Sequence, residues 1–93
     1  MSADRNRFTE VERVLKALAN RRRLAIVQFL NTKGPASVGD IAEHIRLSFA
    51  ATSRHLRTLA VADLVESEQV NTTVKYSVSK NLHPIFGTTL KIL

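Results

Sequence analysis

The sequence contains no cysteine. Disulfide bonds, thiolate metal sites and thiol-based redox sensing are therefore excluded together. No hydrophobic run approaches the ~18 apolar residues that a membrane helix needs, so we expect no membrane partner. The first eight residues lack the apolar segment of a secretory signal, and we expect a cytoplasmic protein.

The motifs of an enzyme are also lacking. The chain has only three glycines, with no glycine-rich phosphate loop and no nucleophile motif. We predict no catalytic residue and no cofactor. The three histidines, His44, His55 and His83, fall in three different predicted elements without a paired carboxylate. We therefore predict no metal site within one chain, while a site between subunits that uses His83 stays open.

Positive charge is abundant, with a net charge of +6 over 93 residues. This length suits a single domain, residues 1–93, and the charge favours a polyanionic partner such as nucleic acid. The arginines concentrate in the first quarter and the middle of the chain: Arg5, Arg7, Arg13, Arg21, Arg22, Arg23, Arg46, Arg54 and Arg57.

Apolar spacing predicts four helices in the first two thirds of the chain. The first covers residues 8–18, where Asn6 or Thr9 could cap its start. Asn20 caps the second, which runs toward Asn31 and ends before Gly34 and Pro35. The third begins at Ser37, with Asp40 as the second member of a capping box. Ser48 caps the fourth, which runs to about residue 62.

From residue 64 the period changes to two. Residues 64–70 and 74–78 read as strands around Asn71 and Thr72, and His83-Pro84 starts a final helix. The predicted fold is mainly α with a β-hairpin wing, in the order α-α-α-α-β-β-α. This arrangement is a winged helix-turn-helix.

Residues 37–57 carry the strongest functional signal, because two short helical patterns meet there at a tight break. With Leu56 and Leu59 turned inward, the opposite side of the fourth helix carries small polar and basic residues. Arginine can read guanine or grip phosphate, and small apolar groups can touch a thymine methyl. The alternative is an ordinary solvated helix face. The residues predicted to contact DNA are Ser48, Phe49, Ala50, Thr52, Ser53, Arg54, Arg57, Arg21, Arg22 and Lys75.

The run Arg21-Arg22-Arg23 lies at a helix N-terminus, where each cation costs roughly 0.3–1 kcal/mol. This position suggests an external anion for the first two arginines, unless they are merely solvated. For Arg23 we expect a neighbouring carboxylate instead. The wing contains Glu66 and Glu68, which would repel phosphate, so we expect it to add little affinity.

The first and last helices each show an apolar side. Either both sides pack on the chain's own core, or they pair with a second copy. We favour a homodimer through residues 8–18 and 84–93, because twofold pairing sets two recognition helices roughly 34 Å apart. The predicted interface residues are Phe8, Val11, Leu15, Leu82, Ile85, Phe86 and Leu90.

Four segments resemble the ArsR/SmtB family of small winged-helix repressors, and the resemblance extends over residues 15–78. The matching segments are LKALANRRRLAIVQFL (15–30), DIAEHIRLS (40–48), SRHLRTLAVADLV (53–65) and the V-x-Y of residues 74–76. The resemblance implies a homodimer that binds operator DNA and represses transcription. It places Phe49, Ala50, Ser53 and Arg54 toward the groove and Arg57 toward the backbone.

The chain departs from the family pattern in several places. Ser37 and Gly39 stand where the family's metal-sensing members have cysteines, and the last helix offers only His83. Phe49 and Ala50 replace commonly polar residues, and Arg46 replaces a common turn glycine. We predict a sequence-specific, homodimeric repressor without the usual metal-sensing sites, and nothing in the sequence identifies an effector. The alternative is a winged-helix protein-interaction module with weak or non-specific DNA binding.

Overall fold

The computed structural model describes residues 2–93, with side chains from Arg5 onward. Five helices and a three-stranded antiparallel sheet make up this part of the chain. Their bounds are α1 Ser2–Leu18, α2 Arg21–Lys33, β1 Ala36–Ser37, α3 Val38–Ile45, α4 Phe49–Val61, β2 Val65–Val70, β3 Thr73–Val78 and α5 Pro84–Ile92. The predicted winged helix-turn-helix is confirmed, with one strand, β1, added.

Local capping chemistry sets the starts of α2, α3 and α4 and the end of α2, as predicted. The side-chain oxygens of Asn20, Ser37 and Ser48 each accept a hydrogen bond from the backbone N–H three residues ahead, at 3.1 Å. Each bond satisfies a donor that the first helical turn leaves free. Gly34 ends α2 at φ +85°, and the N–H of this glycine donates to the Leu30 carbonyl.

The start of α1 was predicted wrongly. The helix begins at Ser2, so Asn6 and Thr9 lie inside it and do not cap it. The Thr9 hydroxyl donates to the Arg5 carbonyl at 3.1 Å, a bond typical of a helix interior. Residues 2–7 contain no glycine or proline that would end a helix. Apolar periodicity alone marked only the part from Phe8 onward.

The sheet has the strand order β1-β3-β2. Asn71 takes φ 59° in the turn between β2 and β3, as its place in the predicted hairpin suggested. The two-residue strand β1 pairs with β3, with Ala36 opposite Tyr76. This pairing ties the wing to the segment just before α3.

The core lies where the helices meet the base of the sheet. Its largest fully buried side chains are Phe86, Ile26, Ile41, Leu56, Leu59, Leu64 and Val27. On α1 the buried residues are Val14, Ala17 and Leu18, whereas Phe8 is 72% exposed and Leu15 is 50% exposed. Phe8 and Leu15, both predicted for the dimer interface, therefore lie outside the chain's own core.

Two of the residues predicted for the dimer interface belong to the chain's own core instead. Phe86 is completely buried and Leu90 is 8% exposed, so neither can face a second copy. Leu82 is exposed, while Val11 and Ile85 are half-buried. Phe8 and Leu15 on α1 and Leu82 just before α5 therefore remain as exposed apolar side chains. Within residues 2–93, no helix is both long and apolar enough to span a membrane.

Candidate nucleic-acid interface

Helix α4 is held against the core by one side. Leu56 and Leu59 are buried, and Thr52 is completely buried, with its hydroxyl donating to the Ser48 carbonyl at 2.8 Å. The prediction that Thr52 contacts DNA is therefore wrong for its side chain. This threonine fixes the first turn of α4 and thereby the direction of the exposed side.

The opposite side of α4 is open to solvent. Phe49 is 63% exposed, Ala50, Arg54 and Arg57 are exposed, and Ser53 is half-buried. These residues recur at three- and four-residue steps, so they share one helix face. The structure thus brings five of the predicted DNA-contacting residues together on one surface.

The turn between α3 and α4 is tight. Arg46 takes the left-handed conformation, at φ 57° and ψ 52°. The N–H of the next residue, Leu47, donates to the Ala42 carbonyl at 3.0 Å, which closes the end of α3. A non-glycine residue costs roughly 1–2 kcal/mol in this conformation. The short turn leaves α4 projecting beside α3, as in a helix-turn-helix.

Arg21 and Arg22 lie exposed in the first turn of α2, whereas Arg23 is half-buried. Arg23 does not pair with a carboxylate, as we had expected. Its Nε donates to the Ala17 carbonyl at 2.6 Å and its Nη2 to the Lys16 carbonyl at 3.2 Å. Arg23 therefore closes the C-terminal end of α1, where a cation is favourable.

Arg23 also reaches α4. Its Nη1 lies 3.3 Å from Nδ1 of His55. Because a guanidinium only donates, Nδ1 accepts and the ring proton lies on Nε2. Burial lowers the pKa of His55 below its usual 6.5, and the nearby charges of Arg23, Arg54 and Arg22 lower it further. Arg22 and Arg54 therefore contribute to one positive field across α2 and α4.

The wing carries less positive charge. Lys75 is half-buried and stands directly opposite Glu68 across the β2–β3 pair. Cross-strand neighbours of opposite charge attract each other, so this lysine is partly neutralised. Glu66 accepts a hydrogen bond from the Lys80 N–H at 3.1 Å. A DNA contact by Lys75 stays a prediction.

The three histidines occupy separate places. His44 stacks on Phe29, with ring centroids 4.2 Å apart. His83 caps α5, its Nδ1 accepting from the Ile85 N–H, and its Nε2 lies 3.5 Å from a Glu10 oxygen. Among the residues that the structure describes, no group of three His, Asp or Glu could hold a metal ion.

Arg13 and Lys16 on α1 were not predicted as part of a site. Together with Arg54 and Arg57 of α4 they line an open groove between the two helices. Their three-residue spacing on α1 was visible in the sequence. What the sequence could not show is that α1 crosses α4 at this point.

Comparisons with known proteins bear on this surface. Residues 20–67, just over half of the chain, match the family model described as "Bacterial regulatory protein, arsR family". The transcriptional activator HlyU of Vibrio cholerae is 39% identical over 66 residues, covering 71% of this chain and 60% of HlyU. An uncharacterized HTH-type transcriptional regulator of Methanocaldococcus jannaschii is 38% identical over 64 residues, covering 69% of this chain and 66% of the relative. The aligned part of the chain thus spans less than two thirds of HlyU.

Solved structures show the same fold. Reduced HlyU from Vibrio cholerae superposes with a TM-score of 0.81 at 29% identity, covering 100% of this chain and 94% of that one. A homodimeric winged helix-turn-helix DNA-binding domain from Mycobacterium bovis gives 0.82 at 27% identity, covering 99% and 79%. These relatives are regulators and not enzymes, in agreement with the sequence-based prediction. The chain belongs to the arsR family of bacterial regulatory proteins.

Proposed function

We propose that the protein is a homodimeric repressor that binds operator DNA sequence-specifically, with α4 in the major groove. The observation that carries this proposal is the exposed face of α4. There Phe49, Ala50, Ser53, Arg54 and Arg57 project from a helix whose other side is locked in the core. Such a face can offer hydrogen-bond donors to base edges and apolar contacts to thymine methyls.

Phosphate contacts would set the register of the complex. Arg21 and Arg22 lie exposed at the start of α2, and Arg22 and Arg54 both act on His55. In this proposal, α2 and α4 both present positive charge to the DNA. Phosphate contacts of this kind position a protein on DNA, while base contacts give the specificity.

A second copy of the chain would cover the exposed apolar side chains of Phe8 and Leu15 on α1 and of Leu82 just before α5. The Mycobacterium bovis relative is described as homodimeric, which supports the same assembly here. Twofold symmetry would set two α4 helices in successive major grooves, about 34 Å apart. We propose the cytoplasm as its location, where DNA is accessible to it.

Occupying an operator is enough to repress, and this is the direction that we propose. HlyU is named a transcriptional activator. In a reporter assay, increased expression from the bound promoter would therefore contradict the proposed repression. We further propose that regulation does not use the metal sites of the metal-sensing members, because Ser37 and Gly39 cannot supply thiolates.

Fluorescence anisotropy tests DNA binding directly. Labelled DNA from the region upstream of the protein's own coding sequence is compared with random-sequence DNA over a salt series. We expect tighter binding to the upstream DNA. Arg54→Ala should reduce the preference by about 1–3 kcal/mol, while Arg21→Ala should weaken binding to both DNAs and lower the salt slope by about 1.

The control is Arg7→Ala, which removes one exposed arginine from α1, outside the proposed contacts. It should leave the preference unchanged. Equal, steeply salt-dependent binding to both DNAs would indicate phosphate contact without sequence readout. Absence of binding to either DNA would favour the protein-interaction module, which the exposed Phe49 and the acidic wing suggest.

A further inference from the structure

A groove lies between α1 and α4. Of the residues that line it, Arg54 and Arg57 also belong to the proposed DNA contacts, and the others do not. It is open to solvent and has a volume of about 620 Å³. Five basic side chains line it, and its remaining lining is mainly apolar. The basic residues are Arg13, Lys16, Arg23, Arg54 and Arg57, and the others are Ala17, Thr58, Val61 and Ala62.

The positive charges of the groove are poorly compensated. Among the side chains that the structure describes, none of those lining the groove carries a carboxylate. Of its basic residues, Lys16 has an acidic neighbour, the exposed Glu12 at 3.6 Å. Among the residues described, no carboxylate lies within 4.0 Å of Arg13, Arg54 or Arg57. Like charges held together in this way favour a bound anion.

The apolar lining indicates what kind of anion fits. Val61 is 75% exposed and lines the groove together with Ala17 and Ala62. Val61 ends α4, about 18 Å along the helix from Phe49. DNA phosphate would satisfy the cations but would leave this apolar lining in water. A molecule with an anionic head and a hydrocarbon tail would use both.

We propose that this groove binds an amphipathic carboxylate, such as a medium-chain fatty acid, and that its binding weakens the hold on DNA. The carboxylate lies among the guanidinium groups of Arg13, Arg54 and Arg57, and the tail covers Val61. Arg23 is engaged with the carbonyl groups of α1 and with His55, so we assign it no contact with the carboxylate.

The weakening of DNA binding by the carboxylate follows from residues that the groove shares with the DNA-binding face of α4. This regulatory step rests on the proposed function. Arg54 and Arg57 line the groove and also belong to the exposed face of α4. A carboxylate that engages these two arginines withdraws them from DNA. Linkage then requires DNA to weaken carboxylate binding by the same factor.

Isothermal titration calorimetry with sodium decanoate, below the concentration at which it forms micelles, tests the site without DNA. We expect one decanoate per chain. Acetate, which lacks the tail, and decyltrimethylammonium, which reverses the charge, should not bind. Absence of decanoate binding, or equal binding of acetate, would overturn the proposal.

Variants locate the binding. Arg13→Ala combined with Val61→Asn removes one cation and the apolar contact at exposed positions, and should weaken decanoate binding about tenfold or more. Arg7→Ala makes a matched loss of charge on α1 outside the groove and should change nothing. Circular dichroism checks that each variant is folded. If the double variant is unfolded, Arg13→Ala alone is used in its place. Unchanged binding by the groove variant would overturn the assignment.

Anisotropy with DNA tests the second step. Saturating decanoate should weaken DNA binding by the wild type about fivefold or more, whereas the groove double variant should bind DNA as the wild type does and ignore decanoate. If the wild type binds decanoate and DNA independently, the regulatory step is wrong. If it binds no DNA at all, the proposed function fails, and calorimetry still decides whether the groove is a site.

Discussion

Arg23 is the side chain that connects three helices, and its removal should destabilise the fold markedly. It donates to two carbonyl groups at the end of α1 and contacts His55 on α4 while belonging itself to α2. Hydrogen bonds from charged donors contribute about 1.5–3 kcal/mol each when buried. Arg23 is half-buried, and the carbonyl groups left behind can bind water. We therefore expect Arg23→Ala to lower the free energy of unfolding by about 2 kcal/mol in total.

The assay is thermal and urea unfolding followed by helical circular dichroism at one fixed protein concentration, because dimer stability depends on concentration. For a domain of this size a loss of 2 kcal/mol lowers Tm by about 8–16 °C. Arg22→Ala is the matched control, because the Arg22 side chain is next in sequence and exposed. This substitution should change the unfolding free energy by no more than about 0.5 kcal/mol.

Arg23→Lys adds a second comparison. It keeps the charge but cannot reach two carbonyl groups and His55 at once, so its stability should fall between the wild type and Arg23→Ala. Equal stability of Arg23→Ala and Arg22→Ala would refute the claim that Arg23 connects the helices.

Three further predictions concern stability and assembly. The pKa of His55 is lower in the folded protein than the 6.5 of an unperturbed histidine. The contribution of His55 to stability is therefore complete above pH 6.5 and is lost as the pH falls toward the folded pKa. Urea unfolding of the wild type and of His55→Gln between pH 5 and pH 8 measures this loss. Phe86→Ala should cost about 3–5 kcal/mol of unfolding free energy. Phe8→Ala, at a 72% exposed position, should leave the fold intact and weaken dimerisation in sedimentation equilibrium. Equal losses of unfolding free energy in the two variants would contradict the assigned burial. Arg46→Gly should raise the unfolding free energy by up to about 1 kcal/mol, because Arg46 takes φ 57°, and a loss of stability in the same unfolding assay would argue against strain at this turn.

Features encoded within a few residues were predictable from the sequence. Asn20, Ser37 and Ser48 cap helices because their hydroxyl or amide oxygens reach a backbone donor three residues away. The stop at Gly34 and the positive φ of Asn71 have equally local causes. The inward side of α4 also followed, since one strong apolar period identifies it.

Features that depend on distant partners were missed. The strand β1 has two residues and exists only through its pairing with β3. On α1, the small Ala17 packs in the core while the large Phe8 does not, so residue size alone does not identify the buried side of this helix. An apolar stripe in the sequence also does not show whether it packs against the chain's own core or against a second copy. For this reason Phe86 was assigned to the dimer interface instead of the core.

The same limit applied to the candidate site. The exposed face of α4 was recognised because its residues are neighbours on one helix. The groove that joins Arg13 to Arg54 and Arg57 was not, because the crossing of α1 and α4 depends on the packing of Val14 and Ala17.

Selection from a random DNA library tests the central claim most directly, because it assumes nothing about which gene is regulated. The wild-type protein is incubated with the library at moderate salt, and bound DNA is amplified and sequenced over several rounds. The account predicts an enriched, twofold-symmetric motif whose half-sites lie about 10 base pairs apart, with Arg54→Ala losing preference within each half-site. Folded protein that retains DNA at low salt but enriches no motif would contradict sequence-specific binding by α4.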